Sequence, residues 1–171
     1  MLYTKNNPIG IDREIDRLQK NVFKNLLKKW SIEQSNYNCF CRAYKNQQKG
    51  GYIPEFYAGN NEYRELFFDD TVFVTSFFTV ADKTNIIVNG CQTVVSLIFC
   101  VDISKLKDIP HRGDEEIRQD VLGILKALDL ISVETGINNV FKEFSVSNIK
   151  YRDLHPLHCF RFNFNIIYSN C

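Results

Sequence analysis

At 171 residues the chain has the length of one domain, and such a chain buries about two thirds of its unfolded surface without disulfide or metal staples. A hydrophobic share of 44% and a charged share of 24% exclude the disordered and fibrous classes, and a formal net charge of +1 excludes a global field that would recruit nucleic acid. The first residues, MLYTKNNPIGIDRE, lack the apolar run of a signal peptide, and the longest apolar run, TVVSLIFCVDI, is far too short to cross a membrane as a helix.

The first element in chain order is a helix over roughly residues 10–30. Ile11, Ile15, Leu18, Val22 and Leu26 fall at helical spacing and form one stripe. Phe23, Leu27 and Trp30 widen it to nearly half the circumference, more than one sheet face usually covers. Arg13, Arg17, Lys20, Lys24 and Lys28 gather on the opposite side. That basic stripe reads either as a solvated face or as a contact for an acidic protein or phosphate.

NCFCRAYKN (38–46) reads as a strand. QQKGGYIPEFYAGNN (47–61) is rich in turn residues and is expected along a sheet edge, because Pro54 cannot donate to a ladder. EYRELFFDD (62–70) fits a short helix or a strand. TVFVTSFFTVAD (71–82) alternates, with Val72, Val74, Phe78 and Val80 on one face and Thr75 and Thr79 on the other. TVVSLIFCVDIS (93–104) is apolar on both faces until its end, which predicts a central strand covered on both sides.

Between these two strands lies DKTNIIVNGCQ (82–92), the expected hairpin tip. Asp82, Lys83, Thr84, Asn85, Asn89 and Gly90 suit a tip in water. Ile86, Ile87 and Val88 do not, since three consecutive aliphatic side chains project to both sides. Either the tip folds back onto its own domain or it docks on a neighbour.

KLKDIPHRGD (105–114) reads as a loop. Asp114 suits the N-cap of a helix carrying Ile117, Val121, Ile124, Leu125 and Leu128, with Glu115 and Glu116 in its first turn. TGINNVFKEF (135–144) fits one more short helix, completing a pair. The closing strand runs from about His158 to Tyr168. Phe160, Phe162, Phe164, Ile166 and Tyr168 share one face, and Arg161, Asn163 and Asn165 the other. The first helix is expected to cover the Phe162 and Phe164 face.

Three constellations bear on chemistry. His155, Cys159, Cys39 and Cys41 make a conceivable zinc set, but their spacings match no zinc pattern, and Pro156 disfavours a helix that would align His155 with His158. All six cysteines are therefore expected to be reduced and metal-free, as in a cytosol. Glu55, Glu62, Glu65, Asp69 and Asp70, followed by Lys83, offer the carboxylates and lysine of a magnesium-dependent nuclease, with Glu65, Asp69 and Asp70 as its bearers; the same residues also suit turns. Aromatic and basic residues interleave at 160–164, as on an RNA-reading sheet, although a net charge near zero favours a buried Phe face. The chain has no nucleophile elbow, phosphate-cradling glycine loop or dinucleotide fingerprint. The expectation is a protein that is not an enzyme, with no catalytic, cofactor-binding or metal residues.

The order of elements carries a resemblance. A long helix ending in Leu26, Leu27 and Trp30 precedes CRAYKN, then GGYIPEFY, then EYRELFFDD; a long two-strand hairpin spans 71–104, helices follow, and the chain closes after DLHPLHCFRFNFNIIY. This resembles the tail-terminator-like neck proteins of tailed bacteriophages, including the ring proteins below the portal in crAss-like phages, over nearly the whole chain. The resemblance implies one α+β domain over residues 1–171. Its fold would be a twisted, mainly antiparallel sheet with a long β-hairpin, flanked by an N-terminal helix and a helical pair. It implies a structural virion protein that forms a homo-oligomeric ring, six- or twelvefold, in the head–tail connector. Its partners would be portal and other neck or tail proteins, with packaged DNA passing through the lumen without sequence-specific contacts, and no membrane or cofactor. Such a protein is made in the bacterial host cytoplasm and resides in the virion. The interface candidates are Ile86, Ile87 and Val88, with Arg13, Arg17, Lys20, Lys24 and Lys28. The alternatives are a small metal-dependent nuclease and a sheet-based nucleic-acid-binding protein.

Overall fold

The computed structural model describes residues 1–66, 70–107, 109, 113–136, 139–145 and 155–169. Among them the elements run β1 (Leu2–Tyr3), α1 (Ile11–Lys29), β2 (Tyr37–Gln48), β3 (Gly51–Gly59), β4 (Glu62–Glu65), β5 (Val74–Ile87), β6 (Gly90–Asp102), α2 (Asp114–Lys126), β7 (Ile131–Gly136) and β8 (Leu157–Tyr168). The strands form one sheet in the order β4-β3-β2-β5-β6-β8-β7, with β1 on β2. Only β1–β2 and β2–β5 are parallel. The protein is thus α+β, with a mainly antiparallel sheet, a long β5–β6 hairpin and an N-terminal helix, as the sequence leads one to expect.

One face of the sheet carries both helices. Ile15, Leu18, Val22 and Leu26 of α1 and Ile117, Val121 and Leu125 of α2 pack with Val95, Leu97, Phe99, Phe160, Phe162 and Phe164. The Phe162 and Phe164 face of β8 is therefore buried under α1, as its alternation predicts. On the opposite face Phe40, Phe77, Ile98 and Cys100 pack against Val140, Phe141 and Phe144. That explains the apolar character of both faces of β6.

Four expectations are corrected. The second helix of the pair is absent among the described residues: Ile131–Gly136 is a strand antiparallel to β8, and residues 139–144 form turns that lay Val140, Phe141 and Phe144 on the sheet. The wide arc of α1 is not a free surface, because Trp30 at its end is buried in the same core as α2 and donates its indole N–H to Asp120 Oδ2 at 2.9 Å. Nor is β3 the sheet edge, since β4 lies outside it. Pro54 is tolerated there because its carbonyl accepts from Leu66 N at 2.9 Å, just beyond β4. The N and carbonyl of one strand residue point the same way, so the missing donor of Pro54 lies where that ladder stops.

The fourth correction concerns the segment 82–92. Most of it is strand: Thr84, Asn85, Ile86 and Ile87 pair with Thr93, Gln92, Cys91 and Gly90, which leaves Val88 and Asn89 as the turn. Its polar composition reflects exposure of the strands themselves.

Candidate functional site

The β5–β6 hairpin projects beyond the body of the sheet. The pairing of β2 with β5 ends at Arg42↔Phe78, nine residues before β5 does. On the other side β8 accompanies β6 to Cys91↔Tyr168. The arm is thus a three-stranded ribbon with one open edge along β5. A β-bulge between Val80 and Thr84 and the charged pair Asp82 and Lys83 guard that edge, devices that oppose uncontrolled strand pairing. Lys45 Nζ, 3.1 Å from Asp82 Oδ2, ties the base of the arm to β2.

At the end of this arm Ile86 is 89% exposed and Val88 101%, while Ile87 is half-buried. The tip does not fold back onto its own domain. Ile86 lies opposite Cys91, on the sheet face that carries the helices but beyond their reach. Val94 and Ile167 are exposed on the opposite face of the same ribbon.

Arg13, Arg17, Lys20, Lys24 and Lys28 are exposed along α1, opposite the face packed on the sheet. Arg17 pairs with Glu14 at 3.1 Å and Lys20 with Asp16 at 2.7 Å. Among the described residues Lys24 and Lys28 have no ion-pair partner. The stripe is part-neutralised by its own helix, and its Arg17 borders a depression shared with Gln92 and Ile167 at the base of the arm.

The chemistry-bearing candidates do not converge. Cys39 and Cys41 belong to opposite core clusters, because a bulge between Cys39 and Arg42 breaks the alternation that would put them on one face. Burial pushes both thiols up to about 11, so they stay protonated near neutrality, and a thiol binds metal as its thiolate. Glu55 and Glu65 face each other across β3 and β4, while Glu62 pairs with Arg64. Asp69 lies outside the described residues. No group of three or more His, Cys, Asp or Glu suited to a metal ion occurs among the described residues. The depression between α1 and α2, about 660 Å³, holds Lys28, Lys29 and Asp120, but Asp120 is already engaged by Trp30 and Lys29.

Sequence reading missed a buried polar network on β8. Arg161 donates to both carboxylate oxygens of Glu143, at 2.7 and 2.6 Å, to the Val140 carbonyl at 3.1 Å, to Ser96 Oγ at 2.6 Å and to Asn163 Oδ1 at 2.8 Å. All five guanidinium donors are used, which marks a fixed structural clamp. The alternation placed Arg161 on the polar face of β8 and carried no signal for its partner.

No family model, curated protein or solved structure matches the chain. The likeness to phage neck proteins therefore stands on the order of elements alone. No helix among the described residues is long and apolar enough to cross a membrane.

Proposed function

We propose that this chain is a ring-forming structural component of the head–tail connector of a tailed phage, joining the portal region to the tail around the DNA channel. It joins its neighbours by shape and interface burial, and that assembly needs no bond chemistry. The observation that carries this reading is the projecting hairpin, which holds Ile86 and Val88 in solvent at the end of a three-stranded ribbon. An apolar tip held away from its own core is an interface in waiting. Burial of each such side chain is worth about 1.5–3 kcal/mol. The tip and the surface that receives it on a second copy are different patches, so the contact is heterologous and closes into a ring when its rotation permits.

Two further features support the reading. Both faces of the sheet body are already covered within one chain, which leaves the arm and the edges for assembly. The exposed Lys24 and Lys28 suit an acidic neighbour in the neck, and the packaged DNA passes without sequence-specific contacts. The test is negative-stain electron microscopy and analytical sedimentation of the purified protein, alone and with portal protein. Closed rings, alone or on portal, are expected. A monomer at all concentrations that also fails to bind portal would overturn the proposal.

A further inference from the structure

Cys100 and Cys159 face each other across β6 and β8, with their Sγ atoms 3.4 Å apart. The ladder shows which kind of cross-strand pair they form. Ile103 donates its N–H to the Pro156 carbonyl at 2.9 Å, on the β8 side. Asp102 donates to the Phe73 carbonyl at 2.8 Å, on the β5 side. Cys100 shares the parity of Asp102, so its backbone bonds β5 and its pairing with Cys159 is of the non-hydrogen-bonded kind. In such pairs the Cα atoms approach to about 4.5 Å. That separation lies at the near end of the range a disulfide spans, which begins at about 4.4 Å. The sulfurs need to close by roughly 1.3 Å to reach bonding distance, within reach of modest side-chain rotation.

Access is a second, independent observation. Cys100 lines a cavity of about 200 Å³ whose walls include Phe73, Thr75, Asp102 and Leu157. That space admits a molecule the size of water or hydrogen peroxide. No other described cysteine combines a facing thiol with such a cavity. Cys39 and Cys41 lie in opposite clusters, and Cys91 lies between Ile86 and Tyr168 in the ladder.

We propose that Cys100 and Cys159 form a redox-closable dithiol that takes a small peroxide from the cavity and closes to a cross-strand disulfide. The Cys100 sulfur attacks one peroxide oxygen; an S–O bond forms, the O–O bond breaks, and the thiol proton leaves with hydroxide as water. The Cys159 sulfur then attacks the sulfenic sulfur; the S–S bond forms, the S–O bond breaks, and the departing hydroxide takes up the second thiol proton and leaves as water. Two thiols are oxidised and one peroxide is reduced to two waters. Two equivalents of a small thiol reopen the disulfide by exchange through a mixed disulfide, and leave joined as their own disulfide. Closure ties together residues 59 apart in sequence, enclosing α2, β7 and the 139–145 cover within one covalent loop. The inference stands whether or not the chain forms rings.

The test uses the full chain. Folded protein is treated with hydrogen peroxide, quenched, alkylated in denaturant and mapped by mass spectrometry. The expected result is an intact mass lower by two hydrogens, two fewer alkylated thiols, and a peptide link joining Cys100 to Cys159. The linked form should melt at a higher temperature, and reduction should remove the shift. Cys159→Ala should show neither link nor shift. Full alkylation of all six thiols after treatment would overturn the proposal. So would sulfinic acid on Cys100 without a link, or a link that appears only once circular dichroism reports unfolding.

Discussion

The Arg161 guanidinium grips the Glu143 carboxylate through two parallel bonds, 2.7 and 2.6 Å long, on the sheet face away from the helices. The pair fastens the 139–145 turns to β8 and β6. Arg161 is buried, so removing its partner leaves a charge with little water to receive it. Glu143→Ala is expected to cost about 3 kcal/mol, the lower end of the range for breaking a buried pair, because Glu143 keeps some exposure. Urea denaturation followed by circular dichroism measures it. A cost under about 0.5 kcal/mol would place the pair among surface bridges.

Phe162 is 0% exposed beneath α1 and meets Phe160 edge-to-face with centroids 5.7 Å apart. Phe162→Ala is expected to cost about 3–5 kcal/mol, as large-to-small core changes do. Denaturant midpoints at unchanged slope are the readout. A small loss would reopen the view of β8 as an exposed nucleic-acid-binding face.

Changing Ile86, Ile87 and Val88 together to Ser should leave the fold intact, because the tip contributes nothing to either core cluster. Assembly with itself or with portal protein should be lost. Thermal melting reports the first outcome and sedimentation the second. Normal assembly would remove the tip from the interface, and unfolding would assign it to the domain's own stability.

Stability should fall in alkali. Burial raises the Cys39 and Cys41 thiols from 9.0 to about 11 and lifts the Tyr37 phenol well above 10.0. Between pH 9.0 and about 11 the unfolded chain sheds these thiol protons while the folded chain keeps them. The unfolded state binds fewer protons there, so stability is fully present below pH 9.0 and declines as pH rises through the folded values. The slope is about 1.4 kcal/mol per pH unit for each thiol. Urea midpoints across this range should show the decline, and Cys39→Ala should make it shallower. An unchanged slope in that variant would assign the alkaline loss to other groups.

Gly90 follows the turn of the arm with φ 147°, and a Cβ there would stand 2.4 Å from the Tyr168 carbonyl oxygen. Gly90→Ala must push β8 away from the hairpin, so a loss of about 1–3 kcal/mol is expected. Faster amide exchange at Cys91 and Tyr168 would localise the damage. A stability and exchange pattern like the parent's would show that the arm absorbs a methyl group there.

The sequence by itself determined the elements whose apolar spacing is long and regular. The stripe from Ile11 to Leu26 and the alternation from Phe160 to Tyr168 each forced one secondary structure and one buried face, and the two-faced run from Val94 to Val101 forced a strand covered on both sides, because burial of apolar area dominates the local choice. The odd aliphatic triplet at 86–88 was also legible, since no single sheet face can cover consecutive residues. Tertiary structure decided what depended on partners distant in the chain. Leu2 and Tyr3 become a strand only because β2 offers an edge, and two residues carry no period. Thr135 and Gly136, expected to open a helix over 135–144, instead close the strand Ile131–Gly136 because β8 pairs with it. Cys39 and Cys41 part company at a bulge that only the β2–β5 register reveals. Arg161 meets Glu143, and Cys100 meets Cys159, across 18 and 59 residues of chain. Such meetings follow from strand order and register, which local spacing does not encode.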